Sequence, residues 1–389
     1  MGKYARLAII TLIIGGLLAT SCTSSSDDNS QDSIDSITKP YEFSVPQWEF
    51  DTVIDGLWES LKPATKADID DIETVNEYFD AISPQSNVGD SQKAELEDET
   101  ERILAKQIRQ ALINEGIMNP LDTFLPLKIV LPPVNFEFES PPSLLILSPR
   151  DEIRLLRRTT LEADLSTQQK EEIEAQADKL GYSSLVVNLG GVGFTYPTMV
   201  IESTNIRRTI DRAVEEWFHQ YMFFHPLGFL YALDAIGWRS GYDIITMNET
   251  VAGIVSKEIG AKVYYKYYAS ESEYPTPPDE PVSEFALEMR QIRLAVDEYL
   301  AVGQVTEAEE FMRQKQDFLA SKGYYIRKLN QAYFAFYGTY ADDPSTASPI
   351  GQDLQTLRDE SSSLREFLNE VKSMTSYEDL KEAAEETRK

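Results

Sequence analysis

The sequence predicts an α+β protein, with N-terminal helices and a small sheet followed by a largely helical domain. Three observations carry that expectation. Apolar residues recur at helical spacing up to residue 118, short β-rich runs broken by proline or glycine fill 124–201, and helical patterning resumes at Ile206 and continues to the end. With 389 residues, one large domain or two modest ones can bury a sizeable core.

The extreme N-terminus stands outside this plan. Lys3 and Arg6 precede a mostly apolar run at 7–18, and Ala19-Thr20-Ser21 places small residues directly ahead of Cys22. A run of about 12 residues is too short to span hydrocarbon, which takes roughly 20. It suits the apolar region of an export signal instead. Small residues followed at once by Cys22 are similar to a bacterial lipoprotein signal, with 1–21 removed and lipid on the Cys22 thiol. The chain would then be exported and anchored on the extracytoplasmic side of the cell membrane. An ordinary signal peptide with an incidental cysteine is the alternative. Residues 22–40, rich in Ser and Asp, read as a disordered tether, because so few apolar groups cannot form a core.

Cys22 is the only cysteine, so no disulfide forms within the chain and the core must hold the fold by itself. The net charge of −29 excludes the basic surface that nucleic-acid phosphates require, and it disfavours adhesion of the folded body to anionic lipid.

Residues 41–123 form the N-terminal helical region. Within it, 96–118 carries Ile103, Leu104, Ile108, Ala111 and Leu112 at helical spacing, with Gly116 and Pro120 as stop signals; 83–90 is a loop. Residues 124–345 form the α+β domain. Its strand candidates lie in PLKIVLPPVNFEFE, SLLILSP and SLVVNLGGVGFTYPTMVIE, and one helix at 166–180 opens on a capping Ser166. Loops are expected at 274–281 and 342–351. Residues 346–389 read as a polar, helical tail that packs along the domain or frays.

One helix concentrates the chemistry. Wound over 209–224, Ile210, Ala213, Val214, Trp217, Phe218 and Tyr221 share a broad apolar face, while Glu215 and His219, four apart, lie together on the other. Two metal ligands need that spacing. A general base needs the adjacent position, Glu216, where a carboxylate reaches water beside the metal without ligating it. Thirty residues beyond His219, Glu249 could supply a third ligand. A surface helix with solvated Arg and Glu pairs explains the first set equally well, and a capping box at Thr246-x-x-Glu249 explains the second. Gly253 and Gly260 in that second helix weaken it unless close packing against its partner requires them.

Four blocks in order, LVVNLGGVGFTYPTMVIES, VEEWFHQYMFFHPLG, MNETVAGIVSKEIGAKVYY and GYYIRKLNQAYFAFYGTYADDPSTASPIG, resemble a bacterial group of predicted gluzincin-type metallopeptidases. In that group the helix reads H-E-W-x-H and is followed by an N-E-T-x-A segment. The resemblance implies a zincin-like domain, peptide-bond hydrolysis by metal-activated water, Glu216 as general base, and His219 and Glu249 as metal ligands. Glu215 occupies the first ligand position, where the group has His. Segment 190–200 would be the strand along which a peptide or protein substrate lies. A tyrosine often stabilises the oxyanion in such peptidases, and Tyr333, Tyr337 and Tyr340 are candidates beside their packing role.

A Glu/His/Glu set is chemically able to bind zinc. Its two ligand carboxylates cancel the metal's charge, however, so bound water is less acidified and a carbonyl less polarised. Oxygen-rich ligation also moves preference towards harder metals such as manganese. The expected function is therefore a lipid-anchored metallopeptidase with altered metal. The alternative is an inactive relative, with weak metal or none, that binds peptide or cell-envelope material. His225, six residues past His219 and ahead of Pro226, reads as a packed or capping residue. A third possibility, a purely structural lipoprotein, requires Glu249 and His219 to lie apart in space. The sequence leaves oligomeric state open.

Overall fold

A computed structural model describes residues 28–43, 71–119, 130–235, 238–239, 241–270 and 282–388. The expected signal, Cys22 and the loop at 274–281 fall outside these residues.

The fold is α+β. Helices α1 (Asp28–Thr38), α2 (Ile72–Ala81) and α3 (Asp90–Asn114) precede the strands β1 (Phe136–Phe138), β2 (Ser143–Ser148) and β3 (Arg157–Leu161). Helix α4 (Thr167–Lys179) leads to β4 (Ser183–Asn188), β5 (Gly191–Val192) and β6 (Thr198–Val200). Helices then follow: α5 (Ile206–Met222), α6 (Pro226–Ala235), α7 (Tyr242–Tyr267), α8 (Glu284–Ala301), α9 (Val305–Ser321), α10 (Gln331–Tyr337), α11 (Pro349–Glu360), α12 (Leu364–Val371) and α13 (Tyr377–Thr387).

Local chemistry sets several of these boundaries. α3 starts at Asp90, earlier than its apolar pattern, and ends on Gly116 in the left-handed region at φ +72. There Ile117 N–H donates to Leu112 O at 2.9 Å and Gly116 N–H to Ile113 O at 3.1 Å, which satisfies two terminal carbonyls. α4 opens on a full capping box between Ser166 and Gln169.

Among the described residues, two three-stranded sheets form. In the antiparallel order β3-β2-β4, alternation sends Leu145, Leu147, Leu161 and Val186 to one face, under α1 and α4. Leu144, Ile146, Leu185 and Val187 point the other way, into the main core. β3 (RRTTL) was not expected, because four of its five residues are polar. In the second sheet, β6 lies between parallel β1 and antiparallel β5. Segment 190–200 is therefore a hairpin, not one strand, and β5 is its edge.

The tether expectation fails for residues 28–38. Ile34 is 2 % exposed and packs with Leu145, Leu147 and Leu161, Ile37 packs beside it, and Asp35 pairs with Arg157. Two isoleucines at helical spacing suffice once a sheet face receives them; average composition hides that. Within the tail at 346–388, Leu354, Phe367, Leu368, Val371 and Leu380 are buried in the same cluster as α5 and α7.

Candidate metal centre

Helices α5 and α7 make the most extensive helix–helix contact among the described elements, and the centre lies between them. α5 starts where the Asn205 side chain accepts the Arg208 N–H at 2.9 Å. Beyond its first turn it is buried on both faces, including Glu215, Glu216 and His219 at 9, 6 and 6 % exposure. A solvated polar face does not describe this helix.

The capping-box explanation for Glu249 fails as well. α7 begins at Tyr242, and Thr246 Oγ1 donates to Tyr242 O at 2.9 Å, so Glu249 sits two turns inside the helix. The helix glycines divide. A Cβ on Gly260 would overlap the Asp211 carboxylate of α5, the close approach expected of it. Gly253 instead faces Asp342, whose Oδ1 would lie 2.7 Å from such a Cβ.

Glu215, His219 and Glu249 each offer one donor atom within 4.8 Å of the other two. His219 Nε2 lies 3.5 Å from Glu249 Oε2, which excludes the arrangement with these residues apart. The remaining atoms of the set are held from outside. Asn248 Oδ1 is 3.0 Å from His219 Nδ1, and Nε2 faces Glu249. Tyr231 donates its hydroxyl to Glu249 Oε1 at 2.7 Å and stacks its ring on His219, centroids 5.1 Å apart. Arg212 donates to Glu215 Oε2 at 2.9 Å.

Glu216 is pressed against the β5–β6 hairpin. A Cβ on Gly193 would come within 2.6 Å of the Glu216 backbone oxygen, so that position requires glycine, and one on Gly191, 2.7 Å from the Glu216 carboxyl carbon, would displace the carboxylate. The hairpin tip is tied down by Gln220 Nε2 donating to Thr195 O at 2.5 Å, and Phe194 lies over Tyr231 with ring centroids 5.7 Å apart.

Burial and mutual charge set the protonation. Burial, then the neighbouring Glu215, pushes the Glu216 carboxyl up to about 8. Burial also raises Glu215, outweighing Arg212. Burial opposes a charged His219, but Glu249, followed by Glu216 and Glu215, prevails and lifts it to about 9. Burial resists ionisation of Glu249 too, yet His219 and the Tyr231 hydroxyl hold its carboxyl below the ordinary range.

Of the three candidate tyrosines, Tyr340 faces this centre: burial raises its hydroxyl, and the next contributions come from Glu249 and Glu215. Tyr333 and Tyr337 pack against each other, centroids 4.4 Å apart, and answer to Asp343 and Arg327 instead. His225 is buried beside Tyr221, away from the three-residue group. The sequence reading missed Tyr231, which lies in no motif and reaches Glu249 only through the turn between α5 and α6. It also left Arg212 as a solvated pair, although its i, i+3 spacing to Glu215 was legible.

No protein-family model, curated protein or solved structure matches this chain. The chemistry of the donor set is thus the ground on which a metal is judged. Donors each about 2 Å from one tetrahedral ion lie about 3.3 Å apart, so a set within 4.8 Å closes by up to about 1.5 Å. An imidazole and two carboxylates on two facing helices suit a divalent cation, whose charge would displace the His219 Nε2 proton.

Proposed function

We propose that this chain is a lipid-anchored, extracytoplasmic metallopeptidase of gluzincin type, with Glu215, His219 and Glu249 holding a divalent ion. The observation that supports it is the convergence of these three donors, with Glu216 beside them, on two buried helices. Buried charge is costly, and a cluster of this kind is retained where it serves a site. The ion would supply an acidified water and a polarised carbonyl. The ion's charge would bring the Glu216 carboxyl back down from about 8, and Glu216 would then accept the proton of the attacking water and return it to the leaving amine. Asn248 fixes the His219 ring, Tyr231 fixes Glu249, and Arg212 restrains Glu215. Tyr340 is the candidate for the developing oxyanion. With two carboxylates among three donors, manganese gains on zinc.

A second reading, an inactive relative that binds peptide or envelope material, draws on the Arg212–Glu215 pair, in which a guanidinium already engages the carboxylate standing in place of a histidine. Metal titration of the purified protein and of Glu215→His separates the two. Micromolar binding of Mn²⁺ or Zn²⁺ with peptidase activity in the natural protein supports the first. Metal and activity that appear only in Glu215→His make the natural protein a binder, and no metal in either sinks the proposal.

A further inference from the structure

Arg158 is half-buried and turned inward without a carboxylate to meet it. In β3 its register partner is Ile146, whose side chain points into the main core, so Arg158 leaves the sheet on that face. Its neighbour Arg157 leaves on the other and pairs with Asp35. Among the described residues Arg158 makes no ion pair, and its Nη2 is shut off from solvent with no hydrogen-bond partner. Acidic partners are plentiful in this chain, 65 against 36 basic side chains. A cationic donor left unmatched among them costs free energy unless an anion from outside completes it.

The guanidinium lies beside the candidate metal centre. Its carbon is 5.7 Å from the Tyr231 ring centroid, and that ring stacks on His219 with centroids 5.1 Å apart. Arg158 is therefore at most about 11 Å from the His219 ring, a span that about three residues of extended chain cover. Its field reaches Glu249: against burial, His219, then Tyr231 and then Arg158 hold that carboxyl ionised. Yet Glu249 is taken by the Tyr231 hydroxyl and His219. Asp234 turns Oδ1 to the Gly241 N–H at 2.9 Å and to Arg239, and its Oδ2, also unmatched, makes no ion pair with Arg158.

We propose that Arg158 selects the substrate, its guanidinium taking a carboxylate that the peptide carries within about three residues of the bond to be cleaved. The inference rests on the metallopeptidase reading for the position of that bond. A planar fork of N–H donors matches a carboxylate through two parallel bonds, which a point charge does not. The carboxylate is either the end of the peptide chain, so that C-termini are trimmed, or an Asp or Glu side chain, so that an internal position is chosen. The net charge of −29 opposes an acidic ligand at long range, so the selection is local. Salt of about 0.15 M, which screens charges beyond about 8 Å, brings it out.

The test is calorimetric binding of short peptides of Ala, Ser and Gly, blocked at the N-terminus. They are offered to the metal-free protein and to the Mn²⁺-loaded Glu216→Gln variant, which lacks the general base. One peptide is amidated and neutral, one ends in a free carboxylate, and an amidated set carries Glu at successive positions. The free-carboxylate peptide or a member of the Glu set should bind roughly tenfold tighter than the neutral one. Which of them does so tells the chain end from the side chain. Arg158→Gln should erase that difference with the neutral peptide's affinity and the melting temperature unchanged, and Arg158→Lys should restore only part of it. A preference that survives Arg158→Gln overturns the proposal. So does equal binding, or none, of all the peptides, and the metallopeptidase reading then stands if the protein takes up metal. A preference lost in Arg158→Gln, in a natural protein that takes up no metal, keeps the carboxylate site and removes the metallopeptidase reading instead.

Discussion

Glu101 on α3 places a carboxyl where burial pushes it up to about 8 from the ordinary 4.5, although Phe138 N–H donates to its Oε1 at 2.5 Å. An acid whose folded pKa is raised destabilises the fold once ionised. The penalty is absent below about pH 4.5, grows through the interval, and is complete above about pH 8. Glu101→Gln keeps an acceptor for Phe138 and removes the charge. In urea titrations it should exceed the parent by up to a few kcal/mol at pH 9, with the difference vanishing near pH 4.5; a pH-independent difference would contradict this. Legibility differs among single residues for the same kind of reason. Glu215 and His219 could be picked out because ligand spacing is written along a helix, and Glu249, on a later helix, only from its segment 30 residues on. Tyr231 and Phe194 could not, since only the approach of α6 and the β5–β6 hairpin brings their rings to His219.

Helix ends were readable where the signal is local. Gly116 ends α3 and Ser166 opens α4 through bonds to residues within five positions. The start of α7 was misjudged at Thr246, because Gly241 precedes the helix with no side-chain cap to mark it. Packing between elements makes its own prediction. Ala in place of Gly in an exposed helix interior stabilises by roughly 0.5–1 kcal/mol. On α7, Gly260→Ala should instead destabilise by about 1–3 kcal/mol, since the added methyl meets Asp211 where α5 and α7 are closest. Chemical denaturation reads the sign directly, and a gain would mean that the two helices are not held at this separation.

For the molecule as a whole, the α+β class was legible from where the pattern changes period. Core membership depends on which faces meet. Residues 346–389 have a polar composition, yet Leu364, Phe367 and Leu368 sit in one cluster with Ile103 of α3, Trp217 of α5 and Val251 of α7. Phe367→Ala should therefore lower global stability by about 3–5 kcal/mol, seen as one shifted transition in which the near-ultraviolet signal of Trp217 moves with helix content. A separate early transition confined to helix signal would show that α12 and α13 unfold alone.

β3 has a property that reaches beyond its length. Its two faces spell almost the same word: Arg157, Thr159 and Leu161 on one, Arg158 and Thr160 on the other. A shift of the strand by one position would hand each partner helix another arginine and each neighbouring side chain another threonine. Charge and size therefore carry almost no information about which way this strand faces. Leu161, fully buried between Ile34 and Leu145, is the one letter that breaks the tie.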